Sequence, residues 1–173
     1  MEAPVLGNKH HAREGELIVM AGGTPEQFER WEALFQSLGK TVQYVGSLGS
    51  AAALKLALNQ LIASLTASFG LSLKLVQKFD VDVDQFMSIL RESALYAPQY
   101  DKKLQNFLNH TYDDPNFPTR HLLKDVDLML QSSRSQQLET AALEGVRKII
   151  TNALEKGFTA TDYSSLVEGI EHG

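Results

Sequence analysis

The chain has no cysteine, and that absence excludes disulfide staples, thiolate nucleophiles and cysteine-ligated zinc together. It fits a reducing, cytoplasmic setting, which is the compartment expected here. Positive charge is also in short supply. Lys and Arg number 16 against 21 Asp and Glu, for a formal net charge of -5 at pH 7. No basic stripe is available to neutralise a phosphate backbone, so nucleic acid is not an expected partner. The start of the chain, Met1-Glu2-Ala3-Pro4-Val5-Leu6-Gly7, has no positive region followed by an apolar run and does not read as a signal peptide. Charge is missing once more between Lys55 and Lys74, where Leu56 to Leu73 is long enough to be mistaken for a membrane span. That window contains Asn59, Gln60, Ser64, Thr66, Ser68 and Ser72, and no aromatic belt or basic flank accompanies it. It reads as a helix buried in protein, and no membrane partner is expected.

What is present suits a folded, soluble chain. Hydrophobic residues make up 43% of the 173 and charged residues 21%, enough for one domain, or one domain plus part of a neighbour. Two textures meet near Gly46. Before it, Leu17 to Ala21 reads as a buried strand closed by Gly22-Gly23. Thr24 caps a helix opened by Pro25, with apolar residues at Phe28, Trp31, Leu34, Phe35 and Leu38. Gly39 ends it, and Val42, Tyr44 and Val45 start a second strand. Strand, helix, strand is the unit of an α/β sheet. With only the stub Ala3-Pro4-Val5 beside it, this one reads as the end of a larger sheet.

After Gly49 the pattern is helical. Ser50 to Lys78 forms one long helix, and its alanine-rich, apolar sequence suits burial on several sides. Asp82 to Gln85 has capping-box spacing and opens a second helix, and Pro98 opens a third through Tyr100, Leu104 and Leu108. Asp113 to Pro118 is a turn-rich loop. Further helices are expected from about Arg120 to Ser133 and Thr140 to Lys156, and a last one, capped by Asp162, from Tyr163 to Glu171. The fold class expected is therefore mainly α, with a small α/β remnant over residues 1–46 and a helical domain over 47–173.

The run from Gly46 to Asn59 carries the chemistry. Two glycines relax the chain entering the helix, and Lys55 and Asn59, four apart, project from one helical face. An ammonium beside an amide can hold a carbonyl oxygen and supply its proton. Spacing alone favours the plainer reading, a lysine snorkelling from a core helix beside a satisfied asparagine. Lys124-Asp125 likewise fits a surface ion pair, contributing about 0 to 1 kcal/mol. His10-His11 reads as part of a solvated loop, since neighbours in sequence seldom point at one metal, and no metal is expected.

Gly49, Lys55 and Asn59 resemble the G-x-x-x-x-x-K-x-x-x-N signature of the β-hydroxyacid dehydrogenase family, which includes 3-hydroxyisobutyrate dehydrogenase, tartronate semialdehyde reductase and plant-type glyoxylate reductase. Ala3-Pro4-Val5-Leu6-Gly7 is similar to that family's A-P-V-S-G segment, and Phe117 followed by Lys124-Asp125 is similar to its F-x-x-x-x-x-x-K-D element. The resemblance implies a helical domain like that of 6-phosphogluconate dehydrogenase relatives, an NAD(P)-dependent oxidoreductase and a homodimer or homotetramer formed through the helical domain. It implies that Lys55 is the catalytic acid/base and that Asn59 positions the substrate or that lysine. It further implies that Gly7, Asn8, Phe117 and Asp125 line the substrate site and that Lys124 reaches the NAD or NADP.

Two departures stand out. Leu6 occupies the position of the family serine that donates to a substrate carboxylate, which leaves the substrate open. No G-x-G-x-x-G follows a strand; Gly22-Gly23 precedes a helix without a third glycine. The cofactor is thus expected to be held mainly by a missing N-terminal domain, and this chain to be inactive alone. The other class of function consistent with the residues is a helical oligomerisation or ligand-binding module without turnover of its own.

Overall fold

The computed structural model describes residues 1–171. Its contacts fall into two compact units, Met1–Asn59 and the residues from Gln60 onward.

The first unit is a three-stranded sheet, order β1-β2-β3, with helices between the strands. β1 (Val5–Leu6) runs antiparallel to β2 (Ile18–Gly22), and β2 runs parallel to β3 (Thr41–Gly46) after the crossover helix α2 (Pro25–Leu38). The parallel register pairs Val19 with Val42 and Ala21 with Tyr44, then slips before Gly22 meets Gly46. Thr24 caps α2 through a reciprocal bond with Gln27, and Pro25 sits in its first turn. Only part of the apolar periodicity of α2 is buried. Phe28 and Phe35 pack on Val19, Ala21 and Val42, whereas Trp31, Leu34 and Leu38 remain exposed. His10 and His11 do not lie in a loop. They belong to a short helix, α1 (Lys9–Arg13), because Asn8 takes their amide hydrogens as an N-cap.

The second unit is helical. It holds most of α3 (Ser50–Lys78), then α4 (Val83–Glu92), α5 (Pro98–Asn109), α6 (Thr119–Ser135), α7 (Ala141–Glu155) and a terminal 3-10 helix (Tyr163–Gly169). α3 serves two cores on successive turns. Ala63 and Ala67 join Leu122, Val126, Leu143, Ile150 and Leu166, while Phe69 and Leu73 join Met87, Tyr100, Leu104, Phe107 and Val167. Phe69 stacks on Tyr100 with ring centroids 4.5 Å apart, and each such buried ring or aliphatic side chain contributes about 1.5–3 kcal/mol. Asp80, at φ 57, ends α3 in the left-handed region, with the Val81 amide returning to the Val76 carbonyl. Asp82 caps α4, as its spacing predicts.

Two expectations shift. The last helix is 3-10 rather than α and ends at Gly169, because its bonds run from Ser165 to Asp162 and from Ile170 to Val167. And α3, long and apolar enough by length and composition to cross a membrane, buries 39% of its most apolar window here; Leu61, Leu71 and Leu75 stay exposed.

Candidate functional site

In the first unit, the candidate residues are carried by the β1 segment and the start of α3. Lys55 is half-buried, and Asn59, one turn later on the same face, is 5% exposed. Gly49, at φ 98, lets the chain turn into the helix, and its carbonyl accepts the first intrahelical bond, from Ala53. Gly7, at φ 144, ends β1, and a β-carbon there would lie 2.7 Å from the side chain of Leu17. Leu6 is half-buried and pairs with Ile18. Asn8 is committed to its helix cap: its Oδ1 accepts from the amides of His10 at 2.9 Å and His11 at 3.1 Å.

Glu2, which the sequence did not single out, completes this arrangement. Its Oε1 accepts from the amides of Gly49 at 2.8 Å, Ala51 at 3.0 Å and Ala52 at 3.2 Å. The only local hint was that α3 begins at Gly49-Ser50 without a side chain capping it from its own N-terminal residue.

Neither long helix start in this unit offers a phosphate cradle. At α2, Thr24 Oγ1 accepts from Gln27 N and Gln27 Oε1 accepts from Thr24 N, while Pro25 has no amide hydrogen to give. At α3, the carboxylate of Glu2 fills the position an anion would take. A dinucleotide's pyrophosphate needs free amides and a positive helix end, so neither of these two helix starts fits it.

In the second unit, Phe117 stands just before α6, half-buried, with its ring centroid 6.0 Å from Tyr163 and 6.5 Å from His121. Its carbonyl accepts from the Tyr163 amide at 2.9 Å. A buried polar knot fixes this corner. Lys103 Nζ donates to Asp162 Oδ1 at 2.7 Å and lies 4.7 Å from the Tyr163 ring centroid. Thr119 Oγ1 and Ser165 Oγ are 2.9 Å apart, and Asp162 Oδ1 accepts from Ser164 Oγ at 2.6 Å. Burial, then the charge of Asp162, pushes the Tyr163 hydroxyl pKa up, so it stays protonated. Sequence marked Asp162 only as a cap; its partner Lys103 lies too far along the chain for any spacing rule.

Lys124 and Asp125 follow on the second turn of α6. Lys124 is exposed and pairs with Asp125 at 2.9 Å, whose side chain is 12% exposed. Lys124 also lines an open groove of about 360 Å³ with Arg120, Leu123, Asp127 and Leu128. Among the described residues, no group of three or more His, Asp and Glu could hold a metal.

A lysine and a carboxamide on one face of α3, preceded in the chain by a β-α-β segment and followed by a helical unit, give the arrangement to compare with known proteins. Residues 49–170 match the family model for the NAD-binding part of NADP-dependent 3-hydroxyisobutyrate dehydrogenase, and residues 1–46 match the NAD-binding domain of 6-phosphogluconate dehydrogenase. The chain is 29% identical to glyoxylate/succinic semialdehyde reductase 2, chloroplastic, of Arabidopsis thaliana, over 99% of this chain and 48% of that protein. It is 31% identical to glyoxylate/succinic semialdehyde reductase 1 of the same plant, over 99% of this chain and 59% of that protein. Its fold matches 3-hydroxyisobutyrate dehydrogenase of Mycobacterium tuberculosis with a TM-score of 0.86 at 16% identity, covering 98% of this chain and 60% of that one. The chain belongs to the β-hydroxyacid dehydrogenase family. The cofactor class of that family is NAD or NADP. The chain spans about half the length of the curated relatives it matches.

Proposed function

We propose that this chain supplies the proton donor and part of the substrate site of an NAD(P)-dependent oxidoreductase that interconverts a small β-hydroxyacid and its semialdehyde or oxo acid. The observation that carries the reading is the placement of Lys55 and Asn59 on one face of α3, just past the glycine turn at Gly49. The Lys55 ammonium gives its proton to the substrate oxygen as the carbonyl is reduced, and the amine takes it back in the reverse direction. The Asn59 carboxamide orients that oxygen or the lysine. Gly7 and Asn8 are the substrate-site candidates of the first unit; in the helical unit Phe117 and Asp125 are candidates for the substrate and Lys124 for the cofactor. Hydride transfer is the dinucleotide's own chemistry, and since the helix starts here do not cradle its pyrophosphate, no such step is assigned to these residues.

Leu6 lends weight to an altered substrate. A leucine donates no hydrogen bond, so a carboxylate seated against β1 must be held by backbone amides instead, and discrimination between substrates changes accordingly. Assembly into a homodimer or homotetramer is part of the same proposal. Leu71 and Leu75, exposed on one face of α3 with Phe79 just beyond, form an apolar surface that a second copy would cover.

The test is Lys55→Ala in the complete protein, assayed with NADH and NADPH against glyoxylate and succinic semialdehyde. Turnover is expected to fall by about 10²- to 10⁴-fold with the circular dichroism spectrum unchanged. Near-normal turnover would remove the lysine from the mechanism.

A further inference from the structure

We infer that Glu2 is a positioning residue for Lys55, holding the first turn of α3 in register with the Pro4–Gly7 segment; this rests on the reading of Lys55 as proton donor. The first-turn amides of α3 are fully accounted for. Ser50 N donates to the Ser47 carbonyl at 3.1 Å, and Gly49, Ala51 and Ala52 all donate to the single oxygen Glu2 Oε1. Lys55 follows Ala51 by four residues and Ala52 by three, so it sits one turn above the amides Glu2 holds.

Glu2 is itself pinned. Its backbone amide donates to the Gly22 carbonyl at 2.8 Å, and the Gly22 amide donates to the Glu2 carbonyl at 2.9 Å. Gly22 also makes the room: a β-carbon there would lie 2.7 Å from Glu2 Oε1 and 3.2 Å from the Ala51 β-carbon. Glu2 thus joins the end of β2, through its backbone, to the helix leading to Lys55, through its carboxylate. A helix start tied at three amides resists rotation about its axis as well as fraying. An extended lysine places its ammonium roughly 8 Å from that axis, so a rotation of about 10° moves it by more than 1 Å, a displacement that can cost about 10²-fold in rate.

The experiment compares Glu2→Ala, Glu2→Gln and Gly22→Ala in the complete protein, each also combined with Lys55→Ala. Glu2→Ala is expected to lower kcat by about 10- to 100-fold while the KM for the dinucleotide stays within about twofold. Glu2→Gln keeps an oxygen at the same reach and should restore most of the loss. Gly22→Ala, whose methyl displaces the carboxylate without removing it, should behave like Glu2→Ala and carries the test if Glu2→Ala fails to fold. In the Lys55→Ala background the Glu2 substitution should add nothing; a general distortion of the site would lower the residual rate again. Amide hydrogen exchange gives a readout that needs no turnover: Gly49, Ala51 and Ala52 should exchange faster in Glu2→Ala and not in Glu2→Gln. An inactive Lys55→Ala beside an unaffected Glu2→Ala, or an equal loss in both backgrounds, overturns the positioning role alone. A fully active Lys55→Ala overturns the reading beneath it.

Discussion

Glu168 shows at the residue scale how a few side chains can tie distant parts of the helical unit together. Its carboxylate accepts from the Tyr112 hydroxyl and lies 2.7 Å from His110 Nδ1, although these partners are 56 and 58 residues away in sequence. Burial pushes the Glu168 pKa up, but the bonds from Tyr112 and then His110 outweigh it, so the group titrates below its ordinary value of 4.5. Burial, then the bond to Glu168, pushes Tyr112 up, so that hydroxyl remains a donor. A depressed carboxyl pKa contributes stability that is fully present above the unfolded value and is lost as pH falls through the folded one. Glu168→Gln should therefore lower the melting temperature at neutral pH, and the gap to the unmodified protein should shrink as pH drops below about 4.5. A gap that is constant from pH 7 to pH 3 would show that the charge of Glu168 contributes nothing.

At the element scale, the terminal 3-10 helix lies against α7 with almost no clearance. A β-carbon at Gly169 would fall 2.0 Å from the Ile149 carbonyl oxygen and 2.8 Å from the Ala153 amide, both backbone atoms that cannot swing away. Asn152 Nδ2 donates to the Gly169 carbonyl at 3.2 Å across the same contact. Gly169→Ala should force the two elements apart and cost about 1–3 kcal/mol or more, read as a lower denaturant midpoint. A midpoint equal to that of the unmodified chain would mean the helix is not seated there in solution. The same contact holds Leu166 and Val167, which face the two cores of the helical unit. Tyr163, next to Phe117, starts that helix, so its seating also bears on the proposed wall of the site.

For the molecule as a whole, the decisive feature is how the helix starts of the first unit are used. Both long helices there have their amides taken by the chain itself, one by Thr24 and Gln27, the other by Glu2. We expect no appreciable binding of NADPH or NADH to this chain alone by titration calorimetry. A micromolar dissociation constant would show a cradle that the arrangement of amides does not contain.

What is local could be read from the order of residues. The Ser50–Lys78 helix, the caps at Thr24, Asp82 and Asp162, the β-α-β order and the spacing of Gly49, Lys55 and Asn59 all follow from preferences that act over one or two turns. Even local reading failed where a competing short-range bond won, as when Asn8 drew His10 and His11 into a helix. Which oxygen caps α3, which lysine meets Asp162 and which leucines of α3 remain outside depend on long-range packing. Glu2 and Gly49 are 47 residues apart and Lys103 and Asp162 are 59. Such pairs are brought together by the path of the chain through the fold, and no periodicity records that path. The proposed proton donor was legible as a motif; the carboxylate that accepts from the first-turn amides of its helix became visible only once the strands had placed Glu2 beside Gly22.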